Sequence, residues 1–256
     1  MKNFFYVLCI TTLLVGCQTK APHKIQDDQR LYDQGMHYFQ KRSFVSAIDY
    51  FVEIKNRFPE SPYYQEAKLR LADCYYKTQE FIDAEIEYHQ FVTLHPLYKD
   101  IAEVWLKLGK SQYYQAPKSH EKDLTQIKAA KTTFTMVKHK WPGSSQADEA
   151  QKMIELSTNQ EIEKELYLGK FYYRTKKYKV AIKKLEELSL EGSQNTQYVG
   201  ERNILLAKAY IKNKQTKEAA QILKSIINNE ALASYHGKSQ RLLNRVDGSQ
   251  TFHNGL

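Results

Sequence analysis

Small and aromatic residues recur along this chain at spacings that suit paired amphipathic helices. Three times, an alanine is followed four residues later by an aromatic residue and twelve residues later by a proline: Ala47, Phe51 and Pro59; Ala84, Tyr88 and Pro96; Ala130, Phe134 and Pro142. Gly35 and Ala72 lie twelve residues before the first two alanines, and each is followed three residues later by a tyrosine, Tyr38 or Tyr75. The first two copies are offset by 37 residues, and the pattern predicts two helices per copy.

Two weaker copies of the pattern follow without the proline. They comprise Gly169, Tyr172, Ala181 and Leu185, and then Ala207, Tyr210, Ala219 and Leu223. In the third copy, Gly109 lies 21 residues before Ala130 rather than 12, which predicts that the loop within 114–125 is lengthened by nine residues. Five units of two helices are therefore expected.

This arrangement resembles the tetratricopeptide repeat, in which small side chains let two helices approach closely while aromatic side chains fill the space beside them. Each proline should end the second helix of its unit, because proline lacks a backbone N–H and disfavours helix in the residue before it. No unit buries its apolar face alone, so neighbouring units must stack. We expect an all-α fold, a tetratricopeptide-repeat superhelix of five helix-turn-helix units.

The connection between the third and fourth units is longer than the earlier ones. Ala181 follows Pro142 by 39 residues, whereas Ala84 follows Pro59 by 25. Residues 145–174 contain no proline and a single glycine, and their apolar positions keep helical spacing. One unusually long helix is therefore predicted between repeats 3 and 4.

The first seventeen residues predict export and lipidation. Lys2 precedes an apolar stretch of twelve residues that runs into Leu14-Val15-Gly16-Cys17, which resembles the lipobox of bacterial lipoproteins. In such proteins the cysteine becomes the first residue of the mature chain and carries acyl chains that anchor the domain to a bilayer. In enterobacterial lipoproteins an aspartate after this cysteine retains the protein in the inner membrane; here Gln18 stands at that position, and the resemblance implies export to the outer membrane. The alternative is an ordinary secretory signal with a chance cysteine.

These features divide the chain into five segments. We predict a lipoprotein signal peptide at 1–16, a lipidated tether at 17–29, repeats 1–3 at 30–142, the long helix with repeats 4 and 5 at 143–246, and a flexible tail at 247–256. The tether and the tail are the polar ends of the mature chain.

Composition and charge narrow the classes of function. With 42% hydrophobic and 12% aromatic residues, the chain differs clearly from disordered proteins, and no apolar run beyond the N-terminus is long enough to span a bilayer. The net charge of +9 arises mostly near the C-terminus, since residues 161–256 hold 17 basic and 10 acidic side chains. An exported protein does not normally meet nucleic acid, so contact with a protein or a lipid headgroup is the better interpretation of this charge.

The sequence contains no motif that indicates catalysis. It has no nucleophile elbow, no HExxH zinc motif and no phosphate-binding glycine loop. Cys74 is the one cysteine that follows Cys17, and His89 and His95 are six residues apart, which does not suit a zinc site. We expect no enzyme activity, no cofactor and no metal.

In tetratricopeptide folds the first helix of each unit lines a concave groove, and the resemblance assigns three rows of side chains to that groove. They are Tyr32, Met36 and Phe39; Leu69, Asp73 and Tyr76; and Leu106, Lys110 and Tyr113. An aromatic, partly polar trough of this kind suits an extended segment or a helix with large apolar anchors. The alternative is that neighbouring helices or the N-terminal tether cover these rings.

Two stretches are more specific than a generic repeat. They are Phe44-x2-Ala47-Ile48-x2-Phe51 followed by Arg57-Phe58-Pro59-x-Ser61-Pro62-Tyr63, and Ala67-x-Leu69-Arg70-Leu71-Ala72-x2-Tyr75-Tyr76. Together with the lipobox, the five repeats and the long helix, they resemble the BamD family, the lipoprotein subunits of the outer-membrane β-barrel assembly (BAM) machinery. The resemblance covers about residues 17–230.

The resemblance implies a lipid-anchored scaffold that assists the folding and insertion of β-barrel outer-membrane proteins. Its C-terminal repeats would bind the periplasmic POTRA domains of the barrel-forming subunit, and accessory lipoproteins of the complex are further expected partners. Its N-terminal repeats would recognise C-terminal signals of unfolded outer-membrane proteins, which commonly end in an aromatic residue. For the contact with the barrel-forming subunit, we single out Arg174, Lys176, Lys177 and Arg202.

Two other functions fit the same sequence. A pilotin-like tetratricopeptide lipoprotein would chaperone a secretin or a pilus component. A periplasmic cell-wall or division scaffold would instead localise at septa. A lipoprotein enzyme is the least favoured class, because the catalytic motifs are absent from the sequence.

Overall fold

The chain is almost entirely helical where the structure describes it. The structure is a computed structural model that describes residues 22–116, 123–191 and 195–253. The predicted signal peptide and Cys17 lie outside the described residues, as do residues 117–122 of the lengthened loop. The α-helices are α1 (Asp28–Gln40), α2 (Phe44–Arg57), α3 (Tyr64–Lys77), α4 (Phe81–Leu94), α5 (Ile101–Gln115), α6 (Thr125–Lys140), α7 (Ser145–Arg174), α8 (Tyr178–Glu187), α9 (Thr196–Lys212), α10 (Thr216–Ile227) and α11 (Ala233–His253).

The first ten of these helices follow one another as five helix-turn-helix pairs, from α1 with α2 to α9 with α10. No strand interrupts them in the described ranges, where the remaining regular elements are short 3-10 helices at Pro22–Lys24 and Glu230–Leu232. The predicted all-α fold of five tetratricopeptide-type units is confirmed.

The chain divides into two compact units. The N-terminal unit ends at Cys74 and the C-terminal unit begins at Tyr75, so the boundary falls within α3. The described part of the N-terminal unit holds α1, α2 and most of α3. In the C-terminal unit, each helix from α4 to α10 packs against the next one along the chain.

Close approach of the two helices in a repeat depends on a small residue that faces a bulky one. At Gly35, an added Cβ would lie 2.7 Å from Cε1 of Phe51. The same contact recurs in the third repeat, where a Cβ at Gly109 would lie 2.6 Å from Cε1 of Phe134. Both aromatic rings are fully buried. The spacing of small and aromatic residues in the sequence therefore reports the contact between paired helices.

Three prolines end the second helices of the first three repeats, as predicted. The residues that precede them, Phe58, His95 and Trp141, share one non-helical cap conformation, with φ between -127° and -130° and ψ between 56° and 60°. In each case the cap N–H donates the last helical hydrogen bond, to the carbonyl of Ile54, Phe91 or Val137. The common geometry follows from the restriction that proline places on the residue before it.

Four of the five pairs are joined by the same tight turn. Its central residue has a left-handed backbone, with φ of 59° at Arg42, 66° at Gln79, 61° at Lys176 and 64° at Lys214. The next residue donates its N–H back to a carbonyl five positions earlier, as when Ser43 bonds Tyr38 at 2.9 Å and Glu80 bonds Tyr75 at 2.9 Å. This is the Schellman ending of an α-helix, here built without glycine.

The long helix predicted between repeats 3 and 4 is α7, which spans 30 residues. The hydroxyl of Ser144 caps its first turn by accepting from the N–H of Ala147 at 3.1 Å. Ala150 and Met153 in its first half belong to the apolar cluster of Phe134, whereas Ile162 and Leu166 belong to the cluster of Leu185. The linking helix and the first helix of repeat 4 are therefore one continuous element.

A further helix, α11, follows the five pairs and was not predicted as a separate element. It packs on α9, where a Cβ added at Gly200 would lie 2.2 Å from Cε2 of Tyr235. Leu232 before it and Leu243 within it join the core of the fifth repeat, beside Leu223. Helical backbone continues to His253, although a flexible tail is predicted from residue 247 onward.

Part of the predicted tether packs against the N-terminal unit. Ile25 is 6% exposed, and Nη1 and Nη2 of Arg57 donate to the carbonyl of His23 (3.2 Å) and to Oε1 of Gln26 (2.9 Å). The carboxylate of Asp27 accepts from the N–H of Arg30 at 3.0 Å and caps α1. The segment is therefore held in place from Pro22 onward, because one apolar side chain and one arginine bind it to α2.

Within the described ranges, no helix is both long enough and apolar enough to cross a bilayer.

Candidate functional site

The N-terminal unit brings part of the predicted trough together. The ring of Tyr32 stacks on that of Tyr63, with centroids 4.9 Å apart and planes at 19°. Phe39 meets the edge of Phe44 at 5.6 Å. Leu69, which is predicted to line the groove, is buried with 4% exposure. The half-buried aromatic rings, rather than Leu69, are therefore the surface of this unit that a ligand would meet.

The cation beside the ring of Phe39 is already paired with carboxylates. Arg70 lies over the ring of Phe39, 5.5 Å from its centroid, and its guanidinium bonds Glu66 Oε1 at 2.6 Å and Asp73 Oδ2 at 2.8 Å. Burial opposes the charge, but the two carboxylates outweigh it, so the pKa of Arg70 is raised. One positive and two negative charges leave this group with an excess of negative charge.

Four rings of the C-terminal unit form a second surface, which we call the aromatic cluster: Tyr76, Phe81, Tyr113 and Tyr114. Centroid distances are 5.7 Å for Tyr76 to Phe81, 5.2 Å for Phe81 to Tyr114, 6.3 Å for Tyr76 to Tyr114 and 5.4 Å for Tyr113 to Tyr114. The ring of Tyr114 is 48% exposed, and the other three are partly exposed. The turn after α3 and the last turn of α5 bring these rings together.

Two carboxylates act on Tyr76 of the aromatic cluster. Burial is the largest cause that raises the pKa of Tyr76 to about 12, and Tyr114, Glu103 and Glu149 add to it. The pKa of Tyr113 is also raised, mainly by burial, although its hydroxyl accepts a hydrogen bond from Nε2 of Gln160 at 2.7 Å. Both phenols therefore stay neutral at physiological pH.

In the C-terminal unit, the other two residues that are predicted to line the groove on α5 contact α7 or the core. Nζ of Lys110 pairs with Oε1 of Glu149 at 3.2 Å, which joins α5 to α7. Leu106 is 3% exposed and packs in the apolar cluster of Phe134. Of the residues predicted here, Tyr76 and Tyr113 therefore offer accessible ring surface.

Sequence reasoning did not assign Tyr63 and Arg70 of the N-terminal unit, or Phe81 and Tyr114 of the C-terminal unit, to the site. Phe81 lies 37 residues after Phe44, so the repeat itself marks both positions at the start of a second helix. Tyr114 follows Tyr113 directly, but only the packing at the end of α5 shows that its ring turns towards Phe81.

The predicted basic cluster is only partly assembled. Arg174, Lys176 and Lys177 are exposed around the turn between α7 and α8. Arg202 lies on α9, where it is half-buried and its Nε donates to Oδ1 of Asn203 at 3.0 Å. Burial lowers the pKa of this guanidinium. The turn thus presents three cations, whereas Arg202 lies on a different helix.

Cys74 is buried, and burial is the main cause that raises the pKa of its thiol to about 12. A thiol that stays protonated is a poor nucleophile. Among the described residues, no group of three or more histidine, cysteine, aspartate or glutamate side chains is placed to hold a metal ion.

Comparison with known proteins adds to these observations. A family model described as YfiO, outer membrane lipoprotein, matches residues 24–222. Three relatives named outer membrane protein assembly factor BamD are similar over most of their length. That of Rickettsia prowazekii (strain Madrid E) is 25% identical over 80% of this chain and 82% of the relative. The relative from Vibrio cholerae is 24% identical over 71% of this chain and 79% of its own length. The relative from Pasteurella multocida is 24% identical over 83% of this chain and 85% of its own length.

Two solved structures of tetratricopeptide proteins are also similar. The tetratricopeptide domain of P58(IPK) is 16% identical, with a TM-score of 0.43, over 85% of this chain and 66% of that chain. A tetratricopeptide protein of Thermus thermophilus is 15% identical, with a TM-score of 0.39, over 88% of this chain and all of its own.

Proposed function

Because the chain belongs to the YfiO family of outer membrane lipoproteins, we propose that it is a scaffold subunit of the machinery that assembles β-barrel proteins in the outer membrane. The family match over residues 24–222 is the observation on which this proposal rests, and relatives named BamD assembly factors support it. A fold of stacked helix pairs, with exposed aromatic and basic surfaces, suits protein binding rather than catalysis.

The protein is anchored by lipid at Cys17 on the periplasmic face of the outer membrane. Support comes from the lipobox Leu14-Val15-Gly16-Cys17 and from the description of the family. Metabolic labelling with a palmitate analogue tests the anchor. Wild-type protein should be labelled and should partition with outer membranes, and Cys17→Ala should abolish the label. An unlabelled wild-type protein would show that the anchor is wrongly assigned.

The basic turn is the proposed contact with the POTRA domains of the barrel-forming subunit. Arg174, Lys176 and Lys177 project from one tight turn, where they can meet acidic side chains of a partner without losing an internal ion pair. Accessory lipoproteins of the same complex are further proposed partners, without assigned residues.

Affinity purification of the full chain from detergent-solubilised envelopes tests this function directly. We expect the barrel-forming subunit to co-purify with wild-type protein, and Lys176→Glu to reduce that recovery severalfold. Lys214→Glu is the matched control, because Lys214 is exposed at the same turn position of repeat 5, with φ of 64° against 61° at Lys176. Recovery of a secretin without the barrel-forming subunit would favour a pilotin instead.

The aromatic surfaces are the proposed contacts for unfolded outer-membrane proteins. Aromatic rings offer contact area with little loss of rotamer entropy, and those of Tyr76 and Tyr113 remain partly exposed. Binding of a fluorescent peptide that ends in an aromatic residue should weaken about tenfold or more in Tyr76→Ala with Tyr113→Ala, the cost typical of lost aromatic anchors. Unchanged affinity would remove this surface from the proposed function.

A further inference from the structure

The charge around the aromatic cluster of the C-terminal unit restricts what it can bind. Lys110 is the cation that the sequence places in this part of the groove, and its ammonium already bonds Glu149 at 3.2 Å. Lys152, on the same helix as Glu149, pairs with the other carboxylate oxygen at 3.9 Å. Glu149 lies close enough to raise the pKa of Tyr76, as does Glu103. Glu103 accepts from Nε2 of Gln146 at 3.3 Å, a neutral partner that leaves its charge in place.

A hollow beside Phe81 has the same character. It encloses about 490 Å³ and is lined by Gln79, Glu80, Phe81, Ile82, Asp83, Gln115 and Gln126. Two of these side chains are carboxylates and none is a cation. Ile82, which is 63% exposed, and the ring of Phe81 provide its apolar wall. The hollow therefore combines apolar contact with negative charge.

Aromatic faces and carboxylates favour the same kind of ligand. The face of a tyrosine or phenylalanine ring attracts a cation, and a nearby carboxylate adds to that attraction. A peptide carboxylate would instead meet Glu103 and Glu149, and Lys110 would attract it less than a free ammonium does, because Glu149 already offsets its charge. Like charges at an interface are unfavourable, so an anionic end is disfavoured here.

We propose that the aromatic cluster binds segments in which an aromatic side chain has a lysine or arginine beside it, and that it recognises these side chains rather than a terminal carboxylate. This inference rests on the proposed function, for which it specifies the substrate chemistry. The aromatic anchor packs among Tyr76, Phe81 and Tyr114, and the cation lies towards Glu80, Asp83 or Glu149.

Four peptides of equal length test this inference on the full chain in detergent, by fluorescence anisotropy. Two have lysines beside one aromatic anchor and end in either an amide or a free carboxylate. A third has glutamates in place of the lysines, and a fourth keeps the lysines but has alanine in place of the anchor. Amidation should change Kd by less than about twofold, since no bond to the carboxylate is lost. The glutamate peptide should bind at least about tenfold more weakly, and added salt should weaken binding of the lysine peptides.

Glu149→Gln is the decisive variant. It removes one carboxylate and the ion pairs of Glu149 with Lys110 and Lys152, so affinity for the lysine peptides should fall and affinity for the glutamate peptide should rise. The control is Glu187→Gln, an equal change of charge on α8 at an exposed residue that pairs weakly with Lys183, at 3.8 Å. Circular dichroism of both variants confirms that they fold.

The outcomes distinguish a failure of this inference from a failure of the proposed function. If no peptide with an aromatic anchor binds the wild-type chain, the substrate contact of the proposed function is itself wrong. If the peptides bind through their anchor but the glutamate peptide binds as well as the lysine peptides, the proposed preference for a cation is overturned. If amidation abolishes binding, the proposed recognition of side chains rather than a terminal carboxylate is overturned. In either case the proposed function itself stands.

Discussion

At the scale of single residues, the decisive contacts are those in which a glycine faces a bulky side chain. Gly35 faces Phe51, Gly109 faces Phe134 and Gly169 faces Leu185, each with less than 3 Å available to an added Cβ. In α11, by contrast, a Cβ at Gly237 would meet nothing within 4 Å. Replacing glycine by alanine should therefore have opposite effects on stability at a closely packed position and at an exposed one.

Gly109→Ala should destabilise the protein, whereas Gly237→Ala should stabilise it. Alanine gains up to about 1 kcal/mol over glycine in a helix, but overpacking against a buried ring such as Phe134 costs about 1–3 kcal/mol. Thermal unfolding followed by circular dichroism should show Tm falling for Gly109→Ala and rising slightly for the exposed control. A rise in both variants would contradict the close packing at Phe134.

Arg57→Ala should release residues 22–27 from α2. Two hydrogen bonds from its guanidinium, to His23 and Gln26, hold this segment, and both are lost in the variant. Hydrogen exchange of the segment should accelerate while exchange in the middle of α2 is unchanged. Asn56→Ala, at the exposed neighbouring position, is the control and should leave exchange as in wild type. Equal exchange in all three proteins would show that Ile25 alone holds the segment.

At the scale of elements, the turn between paired helices is more uniform than the sequence suggests. Arginine, glutamine and lysine all occupy its left-handed position, where glycine is the usual residue. The packing of the two joined helices selects this turn, although its left-handed conformation is unfavourable for a central residue that has a Cβ. Positions such as Gln79 are therefore sites where the backbone is less stable than it could be.

Gln79→Gly should stabilise the chain and Gln79→Val should destabilise it. A left-handed conformation costs a residue with a Cβ about 1–2 kcal/mol, and a β-branched side chain tolerates it least. Because glycine also loses more entropy on folding, the expected net gain is below about 1 kcal/mol. Urea unfolding should order the three proteins as glycine, glutamine and valine; the reverse order would contradict a left-handed backbone at residue 79.

At the scale of the whole molecule, the C-terminal unit needs a helix beyond its repeats. The last repeat leaves the apolar face of α9 and α10 open, and α11 covers it through Leu243, with Leu232 packed in the same cluster. Stacked repeats generally need such a covering element, because the terminal unit has no neighbour on one side. The helix α11 thus acts as a cap.

Truncation after residue 228 should therefore destabilise the C-terminal unit. It removes Leu232, Leu243 and Val246, each of which is at least 93% buried and contributes about 1.5–3 kcal/mol. We expect a lower Tm and stronger binding of a hydrophobic dye to the exposed face of α10. Truncation after His253 is the control and should change neither. A stable truncated chain without dye binding would show that α11 is dispensable.

The fold was more predictable than the candidate site. The repeats, the proline-ended helices and α7 follow from residue spacing, since a helix pair brings residues at set intervals into contact. For the site, the sequence identified Tyr76 and Tyr113 but also assigned Leu69 and Leu106, which lie in the core. Helical periodicity locates a residue on a face but does not determine how far neighbouring helices cover it.

The sequence by itself determined the helix pairs and the proline-ended helices, because these depend on residues close together along the chain, and the anchor at Cys17 stays a prediction. Tertiary structure alone decided which charges pair between helices and which rings stay accessible. Arg70 pairs with Glu66 and Asp73 on its own helix, at spacings that the sequence shows, whereas Lys110 on α5 pairs with Glu149 on α7. The pairing across α5 and α7 depends on packing between helices far apart in sequence, so spacing along one helix could not reveal it.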